Sequence, residues 1–353
     1  MTYYLKSGNR FNVSTKEAMD LHEALPAGNY TVKHDSMSGR FFLEQIEGFE
    51  IRGKIYGDSV TRASRILNTF QDRSASTGIL LTGEKGSGKT LLAKMLSIKG
   101  AEQGVPTIVI NAPWCGDEFN AFMQMIEQPA IILFDEFEKI YDRDDQEKML
   151  TLLDGVYPSK KLFILTCNDK WRVNEHMRNR PGRIYYMLDY KGLEHNFIEE
   201  YCEDNLKAKE HIPTICRIAT LFDQFNFDML KAIVEEMNRY GETPQEVMNL
   251  LNSKPEFSGE TRYSVALQAN GLDIPLEDTE IDWVGNPLIA NININYKTYE
   301  PDGDWDWNIA KFNNNDLKQV DAQSGKFVFM NASGYRVVLS KVKERSFHWG
   351  DAF

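Results

Sequence analysis

Cysteine is scarce in this chain. Its 353 residues include four (Cys115, Cys167, Cys202 and Cys216), widely spread and with no C-x-x-C pair. That excludes a disulfide-stapled scaffold and leaves reduced thiols, as expected of a cytoplasm-like compartment. Long apolar runs are missing too. No segment approaches the ~18 consecutive apolar residues of a membrane span. No charged-then-apolar leader pattern opens the N-terminus. Positive charge is in deficit: 40 Lys and Arg against 52 Asp and Glu leave a net charge of −12. A chain that coats nucleic acid nonspecifically needs clustered cations, so this balance argues against one. No internal repeat or low-complexity tract is seen. What remains is an ordinary soluble composition, 42% hydrophobic and 26% charged. The length suggests two or three domains with apolar sequence enough for a packed core.

The most informative segment is Gly83-Glu84-Lys85-Gly86-Ser87-Gly88-Lys89-Thr90. It follows the apolar run Gly78-Ile79-Leu80-Leu81 and precedes Leu91-Leu92-Ala93-Lys94-Met95-Leu96. Strand, glycine-rich loop and helix in that order fit G-x-x-x-x-G-K-[ST], the phosphate loop. Glycines let backbone N–H groups face phosphate oxygens, and the helix start presents its positive dipole end to the same anion. Lys89 would reach the β- and γ-phosphates of ATP, and the Thr90 hydroxyl would ligate Mg²⁺.

Around this loop the pattern alternates. Strand 78–82 leads to helix 88–102, strand 107–110, helix 117–127, strand 130–134, helix 144–153 and strand 162–166. Apolar strands separated by helices imply a parallel sheet covered on both faces. Residues 1–54 look β-rich, with strands at Gly28–Val32 and Arg40–Glu44 and a small helix over Thr15–Leu25. From Leu193 to Leu251 the apolar spacing is helical. Residues 256–353 return to β signals, with a hairpin at Lys326–Met330 and Tyr335–Leu339. Expected domains are therefore a β-rich 1–54, an α/β unit over 55–191, a helical lid over 192–255 and a β-rich 256–353.

Ile131-Ile132-Leu133-Phe134-Asp135-Glu136 is an apolar strand ending in two carboxylates. In open α/β sheets ligands bind at the carboxyl ends of strands. Asp135 would hold Mg²⁺, and Glu136 would orient and deprotonate the attacking water. Strand 162–166 ends at Cys167-Asn168, whose amide could position that water; an Asn capping a loop is the plainer alternative. Arg178, Arg180 and Arg183 then fall within six residues. They form either a solvated surface or guanidinium groups that reach a neighbouring subunit's γ-phosphate.

Walker A (83–90), Walker B (131–136), Thr166-Cys167-Asn168 and Arg180-Pro181-Gly182-Arg183, followed by a helical segment, resemble the AAA+ ATPases. The match is to the classical AAA group, whose second region of homology ends in R-x-G-R. Leu152-Leu153-Asp154-Gly155-Val156 also resembles that group, particularly its mitochondrial complex III assembly chaperone type. The resemblance covers about residues 55–250. It implies a P-loop α/β module with a helical lid, assembled as a ring, usually a hexamer, with ATP and Mg²⁺ bound between subunits. Lys89, Thr90, Asp135, Glu136 and Asn168 would act in cis, and Arg180 and Arg183 in trans. Tyr56-Gly57 sits where the family cradles adenine. One departure stands out: Phe225-Asn226-Phe227-Asp228-Met229-Leu230-Lys231 occupies the lid's sensor position and contains no arginine.

Two readings of Trp114-Cys115-Gly116 stay open. It is either a pore loop gripping an extended polypeptide or a buried Trp anchoring a loop. Trp283, Trp305, Trp307 and Trp349 are either partner-binding or core groups of the C-terminal region. Asp302-Gly303-Asp304-Trp305-Asp306 reads as an acidic turn, since it lacks the glycine and glutamate of a Ca²⁺ loop. Three functions compete. The first is an ATP-driven remodeller of a macromolecular client, protein favoured over nucleic acid. The second is a DNA loader or a replication or recombination helper. The third is a slow nucleotide-gated scaffold. Residues 256–353 carry 15 Asp and Glu against 9 Lys and Arg, which disfavours that region as a DNA contact. Intact Glu136, Arg180 and Arg183 speak against the scaffold.

Overall fold

A computed structural model of the chain describes residues 2–7, 10–15, 22–154, 160–190, 192–219, 222, 225–251, 261–276, 282–287, 291–299, 305–321 and 325–342. Two compact units divide at residue 191.

The first unit opens with a hairpin of β1 (Thr2–Ser7) and β2 (Arg10–Thr15). A second hairpin follows, of β3 (Asn29–Asp35) and β4 (Arg40–Ile46). Then come α1 (Ser59–Asp72), β5 (Thr77–Gly83), α2 (Lys89–Glu102), β6 (Thr107–Ile110), α3 (Asp117–Gln124) and β7 (Ala130–Phe134). Short helices α4 (Phe137–Ile140), α5 (Arg143–Lys148) and α6 (Leu150–Leu153) lead to β8 (Lys161–Cys167), α7 (Glu175–Arg178) and β9 (Tyr186–Tyr190). The sheet has seven strands in the order β4-β3-β6-β7-β8-β5-β9, and every pair except the β3–β4 hairpin is parallel.

Alternation along the central strands assigns each side chain to a face. Ile79, Leu81, Ile131, Leu133, Leu162 and Ile164 pack with Ile66, Leu67 and Phe70 of α1 and Leu92 and Leu96 of α2. Leu80, Ile132, Phe134, Phe163 and Leu165 pack on the other side with Phe119 of α3, Phe137 of α4 and Leu152 and Leu153 of α6. Both faces are covered, so these strands read as continuous apolar runs. Each such side chain contributes roughly 1.5–3 kcal/mol by leaving water.

The separate β-rich domain expected over 1–54 gives way to a different arrangement. Asn29, Tyr30 and Thr31 pair in parallel with Thr107, Ile108 and Val109, so the β3–β4 hairpin extends the main sheet. It covers what would otherwise be the open edge of β6. Expected helix 144–153 is two short helices, divided at Met149. Most of the helix expected over Thr15–Leu25 lies outside the described residues.

Gly78 is required by a close approach. A Cβ there would sit 1.8 Å from the carbonyl oxygen of Arg183. Tyr185 N–H also donates to Gly78 O at 2.8 Å, so the arginine segment is pinned along β5.

Lys161 opens β8 and is 1% exposed. Its Nζ donates to the carbonyls of Ile126 (2.8 Å) and Gln128 (2.9 Å). Burial pulls its ammonium down to about 8. Above that pH the folded chain sheds a proton that the unfolded chain keeps up to roughly 10.4. The unfolded state then binds more protons, so stability rises with pH across this window. Wild type should therefore gain about 2–3 kcal/mol between pH 8 and 10.5 relative to Lys161→Met. Urea midpoints at the two pH values check this; parallel slopes for the two proteins would refute it.

The second unit begins with four helices: α8 (His195–Asn205), α9 (Ile212–Ala219), α10 (Phe227–Tyr240) and α11 (Pro244–Leu250). Asn226 caps α10 by accepting from Met229 N–H at 2.9 Å, and Gly241 ends it at φ +70°. Strands β10 (Arg262–Ala269), β11 (Leu272–Ile274), β12 (Asp282–Val284), β13 (Ile292–Tyr299), β14 (Trp305–Phe312), β15 (Leu317–Asp321), β16 (Lys326–Met330) and β17 (Tyr335–Lys341) follow. They form a six-stranded sheet and a β13–β14 ribbon around one core, which includes Tyr263, Ile294, Phe312, Phe329 and Leu339. Trp283 packs against that core, whereas Trp307 is 52% exposed. Trp349 and Asp302-Gly303-Asp304 lie outside the described residues.

Candidate active site

The loop between β5 and α2 turns through three glycines at positive φ: Gly83 (135°), Gly86 (75°) and Gly88 (102°). A side chain at Gly83 would also strike Tyr190, whose carbonyl oxygen lies 2.4 Å from the Cβ position. Lys89 is 7% exposed. Its Nζ donates to the carbonyls of Gly83 and of Glu84 (2.7 Å) and to Asn168 Oδ1 (3.3 Å). Burial lowers its pKa, opposed by the carboxylates of Glu138, Asp135 and Glu136 among others. A buried ammonium held by neutral acceptors is a site ready for an anion. Ser87 Oγ is buried with no hydrogen-bond partner among the described residues. An orphaned hydroxyl in a glycine loop suits phosphate oxygens, so the residues fit a nucleotide's phosphates. Thr90 is exposed at the start of α2.

Thr166 fixes the Asp135 carboxylate and the backbone of Glu136. Its hydroxyl donates to Asp135 Oδ1 at 2.6 Å and accepts the backbone N–H of Glu136 at 2.9 Å. Glu136 takes φ +50°, one of two non-glycine residues in the left-handed region among the described residues. Such a backbone costs roughly 1–3 kcal/mol and persists where its surroundings hold it. The twist aims the carboxylate out of the strand, where it is 44% exposed. Lys139 Nζ sits 2.5 Å from Glu136 Oε1, and Lys85 Nζ 3.8 Å away. The Lys139 hydrogen bond, more than any other contact, lowers the Glu136 pKa and keeps it anionic. Asn168 accepts from Lys89 Nζ at 3.3 Å, and its own backbone N–H donates to Glu138 Oε1 at 2.9 Å. Asp135 and Thr90 remain the pair that could hold Mg²⁺, with hard oxygen donors of the right kind.

The arginines part company. Arg183 is buried, with Nε and Nη2 each 2.7 Å from an oxygen of Asp154 and Nη1 2.8 Å from the His176 carbonyl. Every nitrogen of that guanidinium is committed within its own chain. Arg180 is 62% exposed in its side chain, with Nη1 3.5 Å from Asp154 Oδ1. An open cavity of about 660 Å³ lies beside it, lined by Leu150, Glu175, His176 and Asn179 as well as the two arginines. Hydrogen bonding from Arg183 holds the Asp154 carboxyl below its usual range.

Trp114 is half-buried. Its ring packs against His34 and Phe41 of the β3–β4 hairpin, with centroids 5.8 and 5.3 Å apart. That packing supports the reading of a Trp that anchors a loop. Tyr56 is half-buried and Gly57 has φ +72°. Sequence reasoning missed Thr166 as the clamp of the Asp135 carboxylate and the Glu136 backbone, Glu138 as the partner of Asn168 and Tyr190 as the wall of the loop. An apolar strand followed by F-D-E-F-E carried a signal for Glu138 alone.

Fold and site define a P-loop nucleotide-binding module with Walker A, Walker B and a polar sensor at adjacent strand ends. The model of the AAA family, ATPases associated with various cellular activities, matches residues 79–188. Over those residues the chain carries an AAA-type domain. Mouse "Nuclear valosin-containing protein-like" is 31% identical over 127 residues, covering 30% of this chain and 14% of that protein. Human "Peroxisomal ATPase PEX1" is 32% identical over 180 residues, covering 45% of this chain and 14% of that protein. "Ribosome biogenesis ATPase RIX7" of Saccharomyces cerevisiae is 29% identical over 135 residues, covering 31% and 15% respectively. The matches thus span about one seventh of these relatives' length. No helix among the described residues is long and apolar enough to cross a membrane.

Proposed function

We propose that this chain hydrolyses ATP at a seam between two copies of itself, in a ring, expected to be hexameric, and uses the cycle to remodel a macromolecular client. One observation carries the reading. Lys89, Asp135, Glu136 and Asn168 converge within one chain, while the guanidinium of Arg180 stands 62% exposed with a 3.5 Å pair to Asp154.

Loop 83–90, with Leu91 behind it, would hold the phosphates, and Tyr56-Gly57 the adenine. Lys89 would exchange the Gly83 and Glu84 carbonyls for β- and γ-phosphate oxygens. A bound Mg²⁺, held by Thr90 and Asp135, would offset phosphate charge. Glu136, anionic and turned outward, takes a proton from the attacking water as its oxygen bonds to the γ-phosphorus. The bond to the β–γ bridging oxygen breaks, and ADP leaves with the electron pair. Asn168 orients the water. Arg180 of an adjacent copy would offset charge on the transferring group. Arg183 shapes that reach by holding Asp154.

A protein client is favoured over DNA by the acidic balance of the C-terminal region and by the lack of a basic excess overall. Arg180→Ala should lower steady-state phosphate release by about 10³-fold or more while leaving nucleotide affinity within a few-fold. Release at the wild-type rate would refute the seam. Stimulation of turnover by DNA and not by unfolded protein would move the client to the second reading.

A further inference from the structure

The strongest cluster of metal-ligating groups outside the nucleotide site lies in the second unit, at the junction of α8 and α9. His195 and Glu199 are four residues apart on α8, which places them on one helix face. His195 Nε2 is 3.2 Å from Glu199 Oε1. Cys216 of α9 brings its sulfur to the same place, and the three donor atoms all lie within 4.8 Å of one another. Cys216 is 3% exposed, whereas His195 and Glu199 are exposed. The cluster therefore straddles the surface, with its sulfur inside and its nitrogen and oxygen outside.

We propose that His195, Glu199 and Cys216 form a site for a zinc-class divalent cation that clasps α8 to α9. The donor set selects the ion. A thiolate and an imidazole suit Zn²⁺ and its softer relatives, whereas Mg²⁺ and Ca²⁺ take oxygen donors. Zinc ligands stand ~2.0–2.3 Å from the ion in a tetrahedron, so donors around a shared ion are roughly 3.3–3.8 Å apart. The present spacing needs adjustment on the order of 1 Å, which exposed side chains make by rotamer change. Three protein ligands leave a fourth position for water. Entry is through the exposed His195–Glu199 face. On binding, the Cys216 thiol gives up its proton to solvent, and the thiolate bonds to the ion. Cys216 is buried and its pKa raised, mainly by that burial, so the cation must displace a proton the fold retains, and affinity falls in acid.

The proposal is independent of nucleotide hydrolysis, and its test reads sulfur ligation directly. The metal-stripped, reduced full chain is titrated with Co²⁺ in excess Mg²⁺, which occupies oxygen-only sites. Wild type should develop a thiolate-to-cobalt charge-transfer absorption that saturates at one equivalent and is bleached by Zn²⁺. Cys216→Ser should abolish it, and Cys115→Ser should leave it intact. His195→Ala should weaken Co²⁺ binding at least about tenfold, the least that loss of even an outer-shell partner costs. His195 is exposed, so that variant keeps its core and remains informative should Cys216→Ser misfold. Absence of the band in wild type would overturn the proposal. So would an unchanged band in Cys216→Ser or unchanged affinity in His195→Ala.

Discussion

Glu136→Gln is expected to lower the rate of ATP hydrolysis by about 10²–10⁴-fold, the usual contribution of a positioned general base. The amide keeps the size of the side chain and can still accept from Lys139, but it cannot take a proton from water. The carboxylate is held anionic, chiefly by the Lys139 hydrogen bond. It stands on a left-handed backbone fixed by Thr166. Its contact with the phosphate loop is a 3.8 Å pair with exposed Lys85, and an exposed pair is worth only about 0–1 kcal/mol. Nucleotide affinity should therefore stay within a few-fold of wild type, and the protein should accumulate bound ATP. Single-turnover hydrolysis and equilibrium binding of a fluorescent ATP analogue separate the two effects. Hydrolysis at the wild-type rate would remove Glu136 from the role of base. A parallel loss of binding would mean that the substitution had disturbed the loop.

Asp154→Ala should produce the largest loss of stability, about 3–5 kcal/mol, because it strands a buried charge. Arg183 donates two 2.7 Å hydrogen bonds to Asp154 and is 9% exposed as a residue. Without the carboxylate, the His176 carbonyl is the hydrogen-bond acceptor left to it among the described residues. Arg180→Ala tests the contrast at the same carboxylate. Its contact with Asp154 is exposed, and exposed pairs are worth about 0–1 kcal/mol. Native-state hydrogen exchange of amides in β5 and β8 reads the first unit alone. Protection there should fall by roughly 10²–10⁴-fold in Asp154→Ala and hardly at all in Arg180→Ala. Equal losses would mean that the two arginines share one role.

The central sheet was legible because its strands are buried on both faces. Ile79–Leu81, Ile131–Phe134 and Leu162–Leu165 announce themselves as short apolar runs bounded by helices. Strand β9 was not foreseen. It lies at the sheet edge and its residues alternate between half-buried and exposed, so Tyr186–Tyr190 gives a weak signal. The β3–β4 hairpin was visible as strands, but its place was not. Its parallel pairing with Thr107–Val109 spans 78 residues of chain and leaves no local trace. The hairpin also explains Trp114, whose partner Phe41 is distant in sequence. In the site, motif spacing pointed to Lys89 and Thr90 at the start of α2 and to Asp135, Glu136 and Asn168 just beyond strand ends, because each proposed role is tied to a residue type at such a place. Spacing could not separate Arg180 from Arg183. Both belong to R-x-G-R, and burial beside Asp154 alone distinguishes them.

Mixing two inactive variants tests the shared seam most directly. Arg180→Ala keeps its own Glu136 but offers no guanidinium to a neighbour. Glu136→Gln keeps Arg180 but cannot activate water in its own pocket. When the two are co-assembled, some seams pair an intact Glu136 with an intact Arg180. Phosphate release by the mixture should then rise well above that of either variant alone, to a maximum near equal proportions. Release that stays at the weighted average of the two separate rates at every ratio would contradict hydrolysis between copies.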